Sequence, residues 1–515
     1  MSGSRVVVLG GGVSGLSAAL DLVDAGADVT VVEARAEPGG LLHRERVAGV
    51  PVDVGVEAVL ARRPEGVDLV RRVGLGDRLV APTAAAPGVW RRDGVRSLPR
   101  GTVMGVPGTG TDLSGVLTPE EVARTRSVMT RAAGARARRA PVGPPGSDTG
   151  QDVDVDVASV VTREVGPHVL DVLVEPLLGG VHAGRTDELS LRATVPALWR
   201  AWREGRPLAQ AVDEAAEKAA GEAAGEAAGE SARQPAPSGQ GAAPVFTGVR
   251  GGMAGIVDAA VEVLRRGGAE VRTGTLVTGL ARSGAGWVVD VAVGGPHGTS
   301  ERLTADAVVV ALPTRPAARL LAAVAPEAGD LLDAVPVVSV ATVALAVASP
   351  VPERSGLLVP PHEAEAAGVR AKAVTFSTRK WGWLADEAGD REVVRVSFGR
   401  REEEEVLRCP DADLVDLAAG DLARLLAVDG LPAPVVVDGH VARWGGALPQ
   451  HTVGHAARVE RIRRVVSGVG GLAVAGGWVD GVGVPACIAS GRAAAAALAG
   501  ATPAQRRGRA GILPA

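Results

Sequence analysis

Residues 5–33 read RVVVLGGGVSGLSAALDLVDAGADVTVVE. A β-branched run from Arg5 to Leu9, three glycines, an amphipathic stretch from Val13 to about Asp24, the helix-stopping Gly26 and a second β-branched run ending at Glu33 spell strand, turn, helix, strand. Gly10, Gly12 and Gly15 form GxGxxG at the mouth of that helix. In this context the pattern is a dinucleotide fingerprint: Gly10 permits a tight turn, Gly12 lets the backbone approach a pyrophosphate, and Gly15 lets the helix pack close to the strand. The helix N-terminus faces the phosphates with its partial positive charge. Glu33 can accept both hydroxyls of an adenosine ribose and would repel a 2′-phosphate, which disfavours NADP. A glycine turn can also serve plain packing, but here strand, helix and acid stand together.

Composition bounds the rest. The 515 residues imply several domains or one large composite fold, and 46% hydrophobic residues supply a sizeable core. A net charge of −4, with acids and bases spread along the chain, leaves no basic field for nucleic acid. Tyr is absent and 52 Arg stand against 3 Lys, a skew of the kind a GC-rich coding bias produces. Cys409, Cys487 and eight scattered His make neither a disulfide framework nor a zinc pair, which fits a reducing, cytoplasmic compartment. His451 and His455 have a metal-compatible spacing, but Gly454 lies between them and no carboxylate is near, so no metal is expected. The longest nearly apolar stretch, Val335 to Ser349, is shorter than the roughly 20 residues of a spanning helix and reads as a buried strand. No secretion signal or transmembrane segment is expected.

Beyond the first unit, Val103–Ser127 and Val157–Trp202 carry helix-compatible spacing around a Gly/Pro-rich stretch at 140–150. Residues 215–244 repeat a four-residue Ala/Gly/Glu unit and turn Pro/Ser/Gly-rich, which reads as a low-complexity loop. A helix opening at Gly251-Gly252-Met253 is followed by strands at Glu270–Thr273, Trp287–Val293 and Ala307–Leu312. A second lobe has strands at Val335–Ala348, Val374–Ser377 and Val393–Phe398, with a helix at Asp411–Leu426. The strand Leu472–Ala475, the turn Gly476-Gly477 and the Ala-rich helix Pro485–Leu498 complete the pattern.

The fingerprint continues as EARAEPGGLLHRE, with Gly39-Gly40 just past the acidic strand. This extension resembles FAD-dependent amine oxidases, carotene desaturases and porphyrinogen oxidases, and it implies FAD rather than NAD. The segments SLPRGTVMGVP (97–107), EPLLGGVHAGRTDELSL (175–191), VRGGM (249–253), RWGGALPQHTVGH (443–455) and GGWVDGVGVPACIASGRAAA (476–495) narrow the likeness. Together they resemble the oxygen-dependent protoporphyrinogen and coproporphyrinogen III oxidase family, in its Gram-positive form, over nearly the whole chain.

The resemblance implies an α/β fold: an FAD-binding Rossmann-like domain with an inserted α+β substrate domain and a helical subdomain. Its expected division is 1–90, 245–312 and 441–500 for the FAD-binding parts, 91–214 for a helical and substrate subdomain, 215–244 for the loop, 313–440 for the substrate domain and 501–515 for a loose tail. The expected FAD contacts are Gly10, Gly12, Val13, Ser14, Gly15, Glu33, Ala34, Arg35, Gly39, Gly40, Val277 (at the adenine edge), Gly476, Gly483, Val484 and Ile488. Arg44, Arg62 and Arg63 are candidates for substrate carboxylates, with a solvated surface as the plain alternative. No catalytic side chain is assigned, because a pyrrole N–H made acidic as its meso carbon is oxidised can lose its proton without a dedicated base.

The implied reaction turns coproporphyrinogen III into coproporphyrin III with O₂ as acceptor, in three two-electron steps that release hydrogen peroxide. Hand-over of the product to a coproporphyrin ferrochelatase follows from the same likeness. Protoporphyrinogen IX is the alternative substrate; another flavin oxidase and a tetrapyrrole carrier that keeps FAD structurally are the rival functions. Three departures from the family pattern bear on the substrate pocket: Gly55-Val56-Glu57 where Gly-Pro-Asp or Gly-Pro-Glu is common, Ala486 for a common Asp, and Pro449-Gln450-His451 for Pro-Gln-Tyr. Cys487 reads as a small buried residue beside the flavin rather than a nucleophile.

Overall fold

A computed structural model describes residues 1, 3–137, 153–218 and 244–500. All of the Gly/Pro-rich stretch at 140–150, most of the repeat and all of the tail therefore lie outside the described residues.

The opening strand–helix–strand unit forms as the sequence predicts: Arg5–Leu9, helix Val13–Asp24 and Asp28–Val32. The two strands pair in parallel, Val6 opposite Val29 and Leu9 opposite Val32. They lie within a five-stranded sheet in the order Glu270–Arg272, Asp28–Val32, Arg5–Leu9, Ala307–Val310, Leu472–Val474. Three separate stretches of sequence thus build one parallel sheet, and both of its faces must be covered by helices. One face buries Val6, Val8, Val29 and Val31 with helices Val13–Asp24, Gly255–Arg266 and Val484–Ala499. The other buries Val7, Leu9, Val308 and Val310 with Trp287 and helices Thr314–Val324 and His455–Val469.

The second lobe is a seven-stranded sheet in the order Val436–Pro449, Val337–Val347, Glu392–Phe398, Ala373–Phe376, Gly356–Leu358, Gly88–Arg91, Gly94–Ser97. Phe376, Val394, Val396 and Phe398 pack on helix Asp411–Ala427 from one face. The other face turns Ala344, Ala346 and Val393 towards Val52, Val54 and Trp381. Short helices between Val157 and Arg203 pack with helix Pro119–Ala137 into a third apolar cluster.

One expectation fails in detail, and two of the proposed division points fall within strands. Residues 103–117 are not helical: strands Thr102–Val103 and Val106–Pro107 form a tight hairpin, with Met104 and Gly105 at φ +49° and +84° in the left-handed region. The boundaries at 90/91 and 440/441 fall inside the strands Gly88–Arg91 and Val436–Pro449, both members of the seven-stranded sheet.

Candidate cofactor site and its buried charges

The fingerprint glycines differ in what surrounds them. A Cβ on Gly15 would lie 1.9 Å from the Gly10 carbonyl oxygen, and one on Gly10 (φ +107°) would lie 2.5 Å from that of Ala311. Both positions are closed by packing. A Cβ on Gly12 would meet nothing within 4 Å, and one on Gly40 only the Gly12 Cα at 3.6 Å. These two glycines border open space, which is the cradle a pyrophosphate needs. Gly39 closes it from below, its N–H donating to Gly11 O at 2.8 Å.

Two helix N-termini converge there. Gly491, halfway along helix Val484–Ala499, sits so close to the first helix that a Cβ would be 2.1 Å from Ser14 O, and Cys487, in the first turn of the same helix, interacts with the Ser14 side chain, which brings the start of that helix beside the start of helix Val13–Asp24. Neither Gly12 nor Gly483, the two N-caps, supplies a side-chain cap. The free N–H groups of both helices fit an anionic ligand. Val484 and Ile488 are buried while Gly483 is exposed.

Glu33 stands at the end of its strand with its carboxylate accepting from Gly11 N–H and Arg35 N–H, each at 2.9 Å. Its own carbonyl accepts from Thr275 N–H at 2.8 Å. That bond brings Val277, two residues on and beside an irregularity in its ladder, to the Glu33 end of the cradle. Ala34 and Arg35 are exposed on the rim, where Arg35 lies over the Trp444 ring at 5.6 Å. Gly12, Gly40, Glu33 and the Val277 strand thus lie around the open space beside the glycine turn, while Gly10 and Gly15 serve its packing.

The substrate candidates fare differently. Arg44 reaches Gly251 O at 3.3 Å and Asp258 at 3.2 Å, Arg63 is paired with Glu65 at 2.7 Å, and Arg62 is exposed. The buried cations lie elsewhere. Glu57, just past the cradle, is held by Lys380 at 2.5 Å, Arg395 at 2.7 Å and Ser377 at 3.1 Å. Burial alone would raise the Glu57 carboxyl, but Lys380 and Arg395 overcome it and bring it down to about 2. Arg395 also donates to Gly55 O at 2.5 Å, while its Nε, buried, has no partner among the described residues. Nearby Asp53 accepts from Met253 and Ala254 N–H at 2.7 and 3.3 Å at the head of helix Gly255–Arg266, and burial pushes its carboxyl up to about 6.

Three histidines pack under the C-terminal turn. His451 and His455 stack with ring centroids 4.2 Å apart, and their Nε2 atoms meet Gly477 O and Trp478 O at 2.9 and 3.0 Å. His182, from the 175–191 motif, approaches His451 at 5.7 Å. Burial, and for His182 and His455 also the neighbouring His451, pushes all three below the usual imidazole range. The rings that keep the metal-compatible spacing are spent on backbone carbonyls. Among the described residues no group of three ligating side chains is disposed to hold a metal. Cys487 lies beside this turn with its thiol pushed by burial up to about 11, which leaves it protonated and unreactive. Sequence reasoning missed Glu57's partners, Asp53 and His182. Only Glu57 had drawn notice, as a departure from a family run.

Residues 13–499 match the family model described as flavin containing amine oxidoreductase. A coproporphyrinogen III oxidase of Mycobacterium leprae is 36% identical over 96% of this chain and 98% of its own. One of Bacillus subtilis is 27% identical over 95% of this chain and 97% of its own. A crystal structure from Exiguobacterium, assigned as a protoporphyrinogen oxidase, superposes with a TM-score of 0.75 at 25% identity and covers 97% of this chain and 99% of that one. The open cradle, its paired helix ends and this near full-length match make the chain a member of the flavin-containing amine oxidoreductase family, with FAD as its cofactor.

Proposed function

We propose that this protein oxidises coproporphyrinogen III to coproporphyrin III with O₂ as the final acceptor. The observation that carries the proposal is the 36% identity to a coproporphyrinogen III oxidase across 96% of the chain. Bound FAD would supply a two-electron acceptor. The protein's own residues would do the rest: Gly12 and Gly40 would leave room for the pyrophosphate, Glu33 would take the ribose, and the N-terminus of helix Val484–Ala499 would favour negative charge on the reduced flavin. Each turn removes two electrons and two protons from the substrate and passes them to O₂ as hydrogen peroxide. Three turns remove the six electrons and six protons that separate porphyrinogen from porphyrin. Cytoplasmic work and hand-over to a ferrochelatase belong to the same proposal; among the described residues no helix is long and apolar enough to cross a membrane.

Protoporphyrinogen IX is the second reading, favoured by the assignment of the Exiguobacterium structure. The FAD-loaded protein is mixed in air with each porphyrinogen, and porphyrin fluorescence and peroxide are followed. We expect a higher kcat/KM for coproporphyrinogen III, with three peroxides per porphyrin. Faster oxidation of protoporphyrinogen IX would move the assignment to that substrate, and no oxidation of either, with no anaerobic bleaching of the flavin, would leave a carrier.

A further inference from the structure

In a chain that uses Arg almost to the exclusion of Lys, the three lysines are Lys218, Lys372 and Lys380. Lys380 is accounted for by Glu57. Lys372 is only 6% exposed, and while its backbone is paired on both sides, N–H to Ser397 O at 2.8 Å and C=O from Val359 N–H, its ammonium makes no hydrogen bond and no ion pair with any described residue. The charged groups facing it are Arg400, itself 8% exposed, and Glu403.

Arg400 is tied at both arms. One arm donates to Val359 O at 2.7 Å and the other is ion-paired with Glu403 at 3.4 Å, a carboxylate 42% exposed. Glu175, which also faces Arg400, is occupied with the N–H and hydroxyl of Thr186. The backbone links the two cations, since Val359 N–H donates to Lys372 O at 3.1 Å. Two buried cations that share one part-exposed anion, already paired with Arg400, leave the Lys372 charge without a partner, an arrangement that folding alone does not favour. Burial and Arg400 together bring the Lys372 ammonium down to about 7, so an anion close by would decide its charge.

The pair lies where the seven-stranded sheet meets helix Glu175–His182. A Cβ on Gly180 would contact Leu358 at 4.0 Å, and Arg401 N–H donates to Ala183 O at 2.8 Å. The same helix ends in His182, which is linked through His451 to the cofactor turn at Gly477. We propose that Lys372 and Arg400 form a buried carboxylate subsite that holds one acidic side chain of the tetrapyrrole. Lys372 supplies a compact ammonium with three donors, and Arg400 supplies its unspent N–H groups. This rests on the porphyrinogen reading above; a free small carboxylate is the other source of the same chemistry.

The test compares FAD-loaded wild type with Lys372→Met, and with Lys372→Gln as a second neutral variant. Equilibrium binding of coproporphyrin III and of its tetramethyl ester is followed by fluorescence quenching, with and without about 50 mM sodium propionate. Loss of one charge-assisted hydrogen bond should weaken binding of the acid about 10- to 100-fold in both variants. The penalty should be several-fold smaller with the ester, and propionate should not compete in wild type. Unchanged affinity for the acid in a variant that retains its flavin, or an equal penalty with the ester, overturns the subsite. Competition by propionate that disappears in Lys372→Met assigns the site to a free carboxylate and overturns the substrate assignment. Turnover is read separately: wild type that binds coproporphyrin III without oxidising coproporphyrinogen III defeats the reaction reading and leaves the subsite to be judged by the binding comparison.

Discussion

At Glu33 one carboxylate holds the turn and, in the proposed site, would also meet the ligand. It accepts the Gly11 and Arg35 N–H groups, so it fixes the shape of the glycine loop, and it still offers lone pairs to a ribose. Glu33→Ala should therefore weaken FAD binding by about 1.5–3 kcal/mol, the range for a hydrogen bond to a charged group. Flavin release on dilution measures this, and an unchanged affinity would show that the ribose sits elsewhere. Gly491 is a different kind of position. Its missing side chain is what lets two helices touch, with Ser14 O and Ala18 N at 2.1 and 3.1 Å from where a Cβ would stand. Gly491→Val should push the two helices apart and lower the unfolding midpoint and the flavin content together. A variant with wild-type stability would mean that the helices can slide without cost. The glycine spacing at 10–15 was legible because its meaning is local, a strand followed at once by a helix. Gly491 was not, since only the fold brings it to Ser14.

At the scale of elements, the five-stranded sheet was readable because strands such as Val6–Leu9 and Val308–Val310, buried on both faces, are runs of β-branched residues. The 14-residue strand Val436–Pro449 escaped notice because it crosses its neighbour with two register irregularities and carries WGGALP, which breaks the alternation. The hairpin at 102–107 escaped because two left-handed residues, Met104 and Gly105, leave no periodicity to read. The turn at Gly476–Asp480 rests on stacked imidazoles, and this gives it a pH dependence with a definite sign. His182 and His455 are pushed from 6.5 down to about 3, so their contribution to stability is complete above pH 6.5 and is lost as pH falls through the window down to about 3. Unfolding in that window takes up protons, with a slope of about 1.4 kcal/mol per pH unit for each histidine. His455→Asn, which can still donate to Trp478 O, should flatten the acid side of the stability profile by about one proton. Chemical unfolding between pH 4 and 7 measures the slope, and the same slope in both proteins would show that His455 is already charged when folded.

At the scale of the whole molecule, one buried carboxylate joins two lobes. Glu57 follows the cradle, while Lys380 and Arg395 come from the seven-stranded sheet and the short helix beside it, more than 300 residues further along the chain. No local pattern could announce such a meeting, which is why the sequence pointed to Arg44, Arg62 and Arg63. Those arginines lie near the flavin motif in sequence, and the fold leaves Arg62 exposed and pairs the other two with surface acids. Breaking a buried ion pair from the acid side strands both cations, at a cost of about 3–5 kcal/mol. Glu57→Gln should therefore loosen both lobes at once, lowering the unfolding midpoint and releasing flavin in a single transition. Lys380→Met removes one of the stranded charges, so the double variant should recover part of the loss, by the 0.5–3 kcal/mol or so that contacting residues couple. The same logic gives the pH sign: with its carboxyl held near 2, Glu57 contributes fully above pH 4.5 and its contribution is lost as pH falls towards 2, so acid should mimic the variant. If Glu57→Gln unfolds like wild type and its effect simply adds to that of Lys380→Met, the cluster is not what couples the lobes. The joint would then fall to the apolar seam of Val52, Val54 and Trp381.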